Sequence, residues 1–186
     1  DRIKHAPAIE KHVIEFLVQL GMPNTLFNIH FEALPDFGPQ GSDSVTFLFS
    51  ANKGSRPEEI SKVASGGEMS RLMLALKSVV AKAKTLPTII FDEIDTGISG
   101  EIASKMAKIL VDMSMHLQVI NITHLPQIAS KGAHHYKVFK RDLNDRTETS
   151  MVALNNDERL EELAKMLSGD LITPEALSNA RALMNN

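Results

Sequence analysis

The chain has 186 residues, of which 43% are hydrophobic, and a formal net charge of −3. This length and apolar content are sufficient for a domain that buries about 70% of its unfolded surface. The chain contains no cysteine, which excludes disulfides and thiolate metal sites and favours a reducing compartment, the cytoplasm. The mild acidity excludes a uniformly basic surface for nucleic acid, and the apolar runs are too short to cross a membrane.

The first predicted element is an amphipathic helix. Its apolar residues recur at helical spacing from Ile9 to Leu20 and stop at Gly21, which Pro23 follows closely. The chain starts at Asp1, without a methionine and already within this helical pattern. We therefore interpret the sequence as a fragment of a longer protein and expect the helix to arrive from outside the fragment.

A hairpin or the edge of a sheet is predicted next, because apolar and polar residues alternate in residues 25–34 and 43–52. The apolar residues of each strand would share one face: Phe27, Ile29 and Phe31 in the first strand, and Val45, Phe47 and Phe49 in the second. Residues 35–43 between the strands and residues 52–59 after them are rich in turn-forming residues and are predicted to be loops.

A second amphipathic helix is predicted from about Ser65 to Lys84. Its apolar face would consist of Leu72, Ala75, Leu76, Val79, Val80 and Ala83. Ser65 and Glu68 match a capping box, but such a box does not require the glycines that stand at positions 66 and 67. Bare amides at a helix N-terminus bind anions, so the alternative interpretation is that Gly66 and Gly67 let a phosphate approach.

A strand, helix, strand unit follows. Residues 86–93, "LPTIIFDE", form an unalternating apolar run typical of a buried parallel strand. A helix is predicted from about Gly100 to Met115, and a second buried strand, "LQVINIT", ends at His124. The inward residues of this helix would be Ile102, Met106, Ile109, Leu110 and Met113.

Polar residues follow both strands of this unit, where ligands bind in open parallel sheets. Asp92, Glu93 and His124 occupy these positions. Taken singly, they are explained by a solvated strand end and a histidine that caps the next helix. Taken together, one carboxylate suits Mg²⁺, the second can deprotonate an attacking water, and the histidine can donate to a terminal phosphate.

A charged hairpin and two helices are predicted to close the chain. The hairpin strands are "HHYKVFKRD" and "ETSMVALN", and the last helix begins at Thr173 and Pro174 as cap and first residue. His134 and His135 adjoin each other on the first of these strands, so they would point to opposite faces and form a poor metal site.

Three motifs resemble those of ABC-type ATPase heads. In chain order, "ASGGE", "TIIFDEIDTGISG" and "VINITHLPQIA" are similar to the signature motif, the Walker B motif with its D-loop, and the switch histidine. Their wording is most similar to that of the SMC-like ATPases that act in bacterial DNA repair. The resemblance implies an α/β fold, the C-terminal lobe of an ABC/SMC-type head, with a parallel-strand core, flanking helices and peripheral β-hairpins. Residues 1–20 would end a coiled-coil arm, and residues 21–186 would form the lobe.

The same resemblance implies ATP and Mg²⁺ as cofactors. Asp92 would serve the Mg²⁺ of bound ATP, and Glu93 would be the general base on the attacking water. His124 would sense the γ-phosphate.

The signature motif and the D-loop would serve a second head. Ser65, Gly66 and Gly67 would face the γ-phosphate of ATP held by the opposite head, and Asp95 would lie across the dimer interface. Glu68 replaces the usual glutamine of the motif, and because a carboxylate repels phosphate, we assign it to capping.

The sequence contains no Gly-Lys pair and therefore no Gly-x-x-x-x-Gly-Lys-Ser/Thr phosphate loop. In the family this Walker A loop lies in the N-terminal head lobe, so the expected partners are that lobe, a second copy of the head and, for the full-length protein, DNA.

We expect the full-length protein to hydrolyse ATP, to dimerise on binding it, and to act in recombinational repair of double-strand breaks in the bacterial cytoplasm, near the nucleoid. The fragment alone is expected neither to bind ATP well nor to hydrolyse it. The alternatives are another ABC/SMC-type ATPase, a transporter subunit, or a non-catalytic dimerisation module.

Overall fold

The computed structural model describes residues 1–39, 41–62, 66–84, 86–143 and 146–185. The backbone divides into two compact units. The first unit consists of residues 1–98 and 116–122, and the second of residues 99–115 and 123–186. No helix in the described parts of the chain is both long and apolar enough to cross a membrane.

The first unit begins with a helix, α1 (Arg2–Gln19), and a hairpin. Strands β1 (Leu26–Gly38) and β2 (Gly41–Ser50) pair antiparallel, and a two-residue strand, β3 (Glu58–Glu59), extends the sheet beside β2. The pairing places Phe27 opposite Phe49 and Ile29 opposite Phe47, which confirms the predicted hairpin and its apolar face.

The hairpin is longer than predicted. β1 continues to Gly38 and β2 begins at Gly41, so the two strands together take up most of the segment that was expected to be a loop, and their register becomes irregular between Ala33 and Gly38. The prediction of a loop over residues 35–43 is therefore wrong for most of that range. Local turn residues favour a loop, but backbone pairing across the hairpin, which closes at Gly38 and Gly41, overrides this preference.

Helix α2 (Gly66–Lys84) packs with α1 and the hairpin around one core. The buried residues of this core are Val13, Leu17, Met22, Phe27, Phe49, Leu72 and Ala75. The backbone N–H of Ile29 on β1 also donates to Glu10 Oε1 on α1, at 2.6 Å. These contacts make α1 an integral part of the first unit.

The buried face of α2 differs from the predicted one. Leu72 and Ala75 are buried as expected, but Val80 is 46% exposed and Ala83 is exposed. The other buried residues are Leu74, Ser78 and Ala81. Ser78 Oγ donates to the carbonyl of Ala75 at 2.7 Å, so its hydroxyl is satisfied within the helix and the residue can enter the core.

The central strands β4 (Thr88–Asp92) and β5 (Gln118–Ile122) pair in parallel, as predicted, with Asp92 opposite Ile122. The expectation that both strands are buried is correct for Phe91 but wrong for the opposite face. There Ile90, Ile120 and Ile122 are 57%, 43% and 51% exposed. The exposure of these isoleucines shows that one face of the sheet lacks the second layer that parallel sheets normally have, and the described residues pair β4 and β5 only with each other.

The second unit contains α3 (Gly100–Ser114), the short α4 (Pro126–Ala129), a hairpin of β6 (Tyr136–Leu143) and β7 (Arg146–Ala153), and the helices α5 (Asn156–Ser168) and α6 (Pro174–Asn185). The buried face of α3 includes Met106, Ile109, Leu110 and Met113, as predicted. The amide of Ala176 donates to Thr173 Oγ1 at 3.2 Å, which confirms the cap of α6. His134 and His135 precede β6, so their placement on a strand is corrected.

Candidate functional site

The carboxyl end of β4 borders a groove of about 230 Å³ in the first unit. One wall is formed by α2, through Met69, Ser70, Met73 and Lys77, and the other by Asp92, Glu93 and Ile94. Asp92 and Glu93 are exposed, so both carboxylates are accessible from solvent. The structure thus brings the two acids of the predicted Walker B motif together at one groove.

Glu93 has a left-handed backbone, with φ of 47°, and it is the one non-glycine residue of the described chain with a positive φ. This conformation costs an L-residue about 1–2 kcal/mol. Hydrogen bonds hold it: the N–H of Glu93 donates to the carbonyl of Ile122 at 3.1 Å, and its carbonyl accepts from the N–H and Oγ1 of Thr96, at 3.2 and 2.9 Å. A strained backbone held by its surroundings is typical of functional positions.

In the turn after Glu93, Asp95, which was predicted to contact a second head, is buried. Ile94 and Ile98 are buried, and the side chain of Asp95 is 0% exposed. The exposed residues of this turn are Thr96 and Gly97. A contact between Asp95 and a second head therefore stays a prediction, and Thr96 and Gly97 are the residues of the turn that a partner can reach.

The two glycines at the start of α2 have different surroundings. A β-carbon on Gly67 would lie 2.8 Å from the carbonyl oxygen of Gly97, whereas a β-carbon on Gly66 would meet nothing within 4 Å. Packing against the turn after β4 explains the glycine at 67, which sequence reasoning had linked to a phosphate. Gly66 remains open to an approaching ligand, and Ser65 lies outside the described residues.

Residues one turn further along α2 hold its start in place. Ser70 Oγ donates to the carbonyl of Gly66 at 2.9 Å, and Arg71 Nε donates to the carbonyl of Gly67 at 3.0 Å. Lys77 lies at the groove with its Nζ 5.2 Å from the ring centroid of Phe91, a cation–π distance. Sequence reasoning missed Ser70, Arg71 and Lys77, although the four-residue spacing of Ser70 from Gly66 and of Arg71 from Gly67 places each of them one turn further along the same helix.

The site fits a nucleotide phosphate and Mg²⁺ in its donor groups. The first N–H groups of a helix lack intrahelical acceptors and attract anions, and the space beside Gly66 leaves them accessible. The described residues contain no group of three or more histidine or acidic side chains that could enclose a metal ion. Two exposed carboxylates suit Mg²⁺ instead, because this ion keeps several waters and takes one or two carboxylates together with phosphate oxygens.

His124 belongs to the second unit and is exposed. It stands in the turn before α4, where the N–H of Leu125 donates to Thr123 Oγ1 at 3.0 Å. This bond fixes the backbone on either side of the histidine. Its role as a γ-phosphate sensor stays a prediction.

Comparison with curated proteins gives relatives that match nearly the whole chain. It is 39% identical over 185 residues to the DNA repair protein RecN of Haemophilus influenzae, 43% over 184 residues to RecN of Rickettsia felis, and 39% over 184 residues to RecN of Vibrio cholerae. These matches cover 98% or 99% of the chain but only 33% or 34% of each relative. The chain therefore spans about a third of the length of the relatives it matches. No model of a protein family matches the chain.

Solved structures similar to this one include an SMC ATPase and the head domain of an Smc protein. A structure that concerns ATP-driven dimerization and DNA-stimulated activation of SMC ATPases is 20% identical, with a TM-score of 0.60 over 87% of this chain and 92% of the other. The Smc head domain with a coiled coil and joint from Pyrococcus yayanosii is 22% identical, with a TM-score of 0.66 over 87% of this chain and 29% of the other. These matches confirm the predicted fold class, that of an SMC ATPase head.

Proposed function

We propose that this chain, whose expected resemblance to SMC-like DNA repair ATPases is confirmed by its similarity to RecN, is the C-terminal lobe of an ATP-hydrolysing head. The head would dimerise on binding ATP and act in recombinational repair of DNA double-strand breaks. The observation that carries the proposal is the groove that brings Asp92 and Glu93 beside Met69, Ser70, Met73 and Lys77 of α2.

The two acids of the groove would divide the work of hydrolysis. Asp92 would hold Mg²⁺ through its water shell, and Glu93 would orient a water and accept its proton. When bound, ATP with Mg²⁺ supplies the terminal phosphoryl group that this water attacks. A positioned general base contributes about 10²–10⁴ to a rate, and the fixed backbone of Glu93 supports this role because it limits where the carboxylate can lie.

The start of α2 would serve a second copy of the head. Its free amides at Gly66, together with Ser65 and Gly67, would face the γ-phosphate of the ATP that the other head holds. The turn that carries Asp95 would lie at the same interface and present Thr96 and Gly97. His124 would sense the γ-phosphate within its own head.

The remaining lobe of the head would cover the open face of the small parallel sheet. Ile90, Ile120 and Ile122 form an apolar face that parallel sheets normally bury. We propose that the N-terminal lobe, which would carry the Walker A loop, packs here, and that residues 1–20 are the end of a coiled-coil arm that enters the head. The isolated chain would then lack its nucleotide cradle, neither binding ATP well nor hydrolysing it. DNA would engage the full-length protein in the bacterial cytoplasm, near the nucleoid.

Steady-state ATP hydrolysis by the full-length protein tests this function. Glu93→Gln is expected to slow turnover at least 100-fold, the loss of a general base, while binding of ATP is retained. Glu161→Gln, which changes an exposed acid on α5, is the matched control and is expected to be fully active. Equal turnover in wild type and Glu93→Gln would refute the assignment of the base, and an inactive wild type would favour a non-catalytic dimerisation module.

A further inference from the structure

Arg71 connects two segments that lie 51 residues apart in the sequence. Its Nε donates to the carbonyl of Gly67 in the first turn of α2, and its Nη1 donates to the carbonyl of Leu20, the C-cap of α1. The side chain is half-buried. One guanidinium therefore ties the end of α1 to the start of α2.

The position of the guanidinium suits its charge. The last carbonyls of a helix lack intrahelical donors and carry the negative end of the helix dipole, which a nearby cation stabilises. The last turn of α1 contains no basic residue, so Arg71 supplies this cation from α2. The planar fork of arginine can serve two carbonyls at once, which a lysine ammonium does with less fixed geometry.

The contact continues beyond α2. Gly67, whose carbonyl Arg71 holds, packs against Gly97 so closely that an added β-carbon would lie 2.8 Å from the Gly97 oxygen. Gly97 belongs to the turn that follows Glu93. A displacement of the end of α1 would thus reach the start of α2 and then the turn beside the candidate base, through contacts within the first unit.

We propose that Arg71 is a positioning residue that couples α1 to the phosphate-facing start of α2. The functional part of this inference rests on the proposed ATPase function, with α1 as the end of the arm. Arg71 would hold the first amides of α2 in the orientation that a second head's phosphate requires, and phosphate binding there would in turn fix the end of α1. Such a coupling acts equally in both directions.

Hydrogen exchange and kinetics of the full-length protein test the proposal together. Arg71→Met keeps the aliphatic stem and removes the donors, Arg71→Lys restores the charge, and Arg181→Met is the control at an exposed arginine of α6. Without nucleotide, Arg71→Met is expected to raise exchange at least tenfold both in residues 70–74, whose amides donate to the first carbonyls of α2, and in residues 17–22. With ATP, its kcat is expected to fall at least tenfold while KM stays within twofold, and Arg71→Lys is expected to recover part of both effects.

The two readouts separate this inference from the proposed function. Exchange in the absence of nucleotide reports the link between α1 and α2 even if the protein hydrolyses no ATP. Unchanged exchange at residues 17–22 in Arg71→Met would overturn the link, and changed exchange with unaltered kcat would overturn its functional role. If Arg71→Met does not fold, Arg71→Lys is judged by the same two criteria, with smaller expected effects of at least threefold.

Discussion

Gly67 and Gly97 approach so closely that Gly67 has no room for a side chain and Gly97 has room for one only if the neighbouring backbone shifts. A β-carbon on Gly67 would lie 2.8 Å from the Gly97 oxygen, and one on Gly97 would lie 3.2 Å from both the N and Cα atoms of Gly67. Gly97 also has a φ of +75°, which other residues rarely adopt. The start of α2 is therefore fitted to the turn after β4 by two glycines, one on each side.

This contact predicts opposite effects for alanine at two adjacent glycines. Gly67→Ala is expected to destabilise the protein by about 1–3 kcal/mol, because an overpacked backbone contact must shift. Gly66→Ala is expected to be neutral or to stabilise by up to about 1 kcal/mol, since alanine is the better helix former and has open space here. Thermal unfolding of the full-length variants, with hydrogen exchange in α2, measures both effects.

The variants Gly66→Ala and Gly67→Ala also distinguish a role in packing from a role in phosphate binding. Gly66→Ala is expected to fold normally and yet to weaken ATP-dependent dimerisation, measured by analytical ultracentrifugation, because its methyl group narrows the approach to the amides of α2. A loss of stability in Gly66→Ala as large as that in Gly67→Ala would contradict the distinction between them.

Local patterns predicted those parts of the fold that depend on the spacing of apolar residues and on the residues that begin or end helices and strands. The alternation in β1 and β2 gave the correct pairing of their apolar residues, although Val45 and Phe47 are 40% and 42% exposed. The run ending in Asp92 and Glu93 gave a parallel strand with Asp92 at its end and Glu93 directly after it. The cap at Thr173 was also predicted correctly, because a threonine side chain accepts from the first amides of a helix and a following proline fits the first helical position, and both effects are local.

Contacts between distant segments could not be predicted in the same way. The buried face of α2 includes Ser78 and Ala81, small residues whose burial depends on how closely a neighbour approaches rather than on their hydrophobicity. The glycine at 67 has its cause in Gly97, thirty residues away, and Arg71 has a partner in Leu20. A single sequence shows that the residues of such pairs are present, but it does not show that they lie close together in the fold.

The left-handed backbone of Glu93 predicts a conflict between stability and activity. Glu93→Gly should relieve a strain of about 1 kcal/mol, partly offset by the greater freedom of glycine in the unfolded chain. Its thermal midpoint is therefore expected to equal or exceed that of wild type, while ATP turnover falls at least about 100-fold. Glu93→Gln keeps the strain and is expected to match the wild-type midpoint.

A β-branched residue at this position provides the control. Glu93→Val is expected to lower the thermal midpoint, because branching at Cβ makes a φ of 47° more costly. The order of stability should be Gly at the top, Gln in the middle and Val at the bottom, measured by calorimetry on the full-length protein. If Gly and Val destabilise equally, the turn after β4 does not store strain at Glu93.

His135 predicts part of the pH dependence of stability. Burial lowers the pKa of His135 from its usual 6.5, Arg159 and Lys137 lower it further, and Glu162 raises it. Above pH 6.5 His135 is unprotonated in both the folded and the unfolded protein, so the full stabilisation that depends on a neutral His135 is present. As the pH falls below 6.5, the unfolded chain takes up the proton first, and stability is lost until the pH also passes the folded pKa.

Replacing His135 should therefore flatten the stability profile on the acid side of pH 6.5. In His135→Gln the decrease in thermal midpoint between pH 7.5 and pH 5.5 is expected to be smaller than in wild type. His134→Gln changes the exposed neighbour and is expected to keep the wild-type decrease. Equal decreases in all three proteins would show that protonation of His135 is not linked to unfolding.

The open face of the parallel sheet predicts that Ile120→Thr destabilises the isolated chain less than it destabilises the full-length protein. Ile120 lies opposite Ile90 and is 43% exposed. Threonine fits a strand about as well as isoleucine does, so Ile120→Thr should cost the isolated chain less than about 1 kcal/mol and reduce its aggregation. In the full-length protein, where the proposed N-terminal lobe buries this side chain, the cost should rise to about 1.5–3 kcal/mol.

Unfolding of both lengths by urea, with light scattering for aggregation, measures this difference. Leu171→Thr is the control, because Leu171 is 82% exposed in the connection between α5 and α6 and should have a small effect in either length. A small and equal effect of Ile120→Thr in both lengths would mean that no lobe covers the sheet here, and the proposed division of the head would fail. A cost confined to the full-length protein would place the second layer of the sheet on Ile90, Ile120 and Ile122, since only a covering layer can turn a half-exposed isoleucine into a buried one.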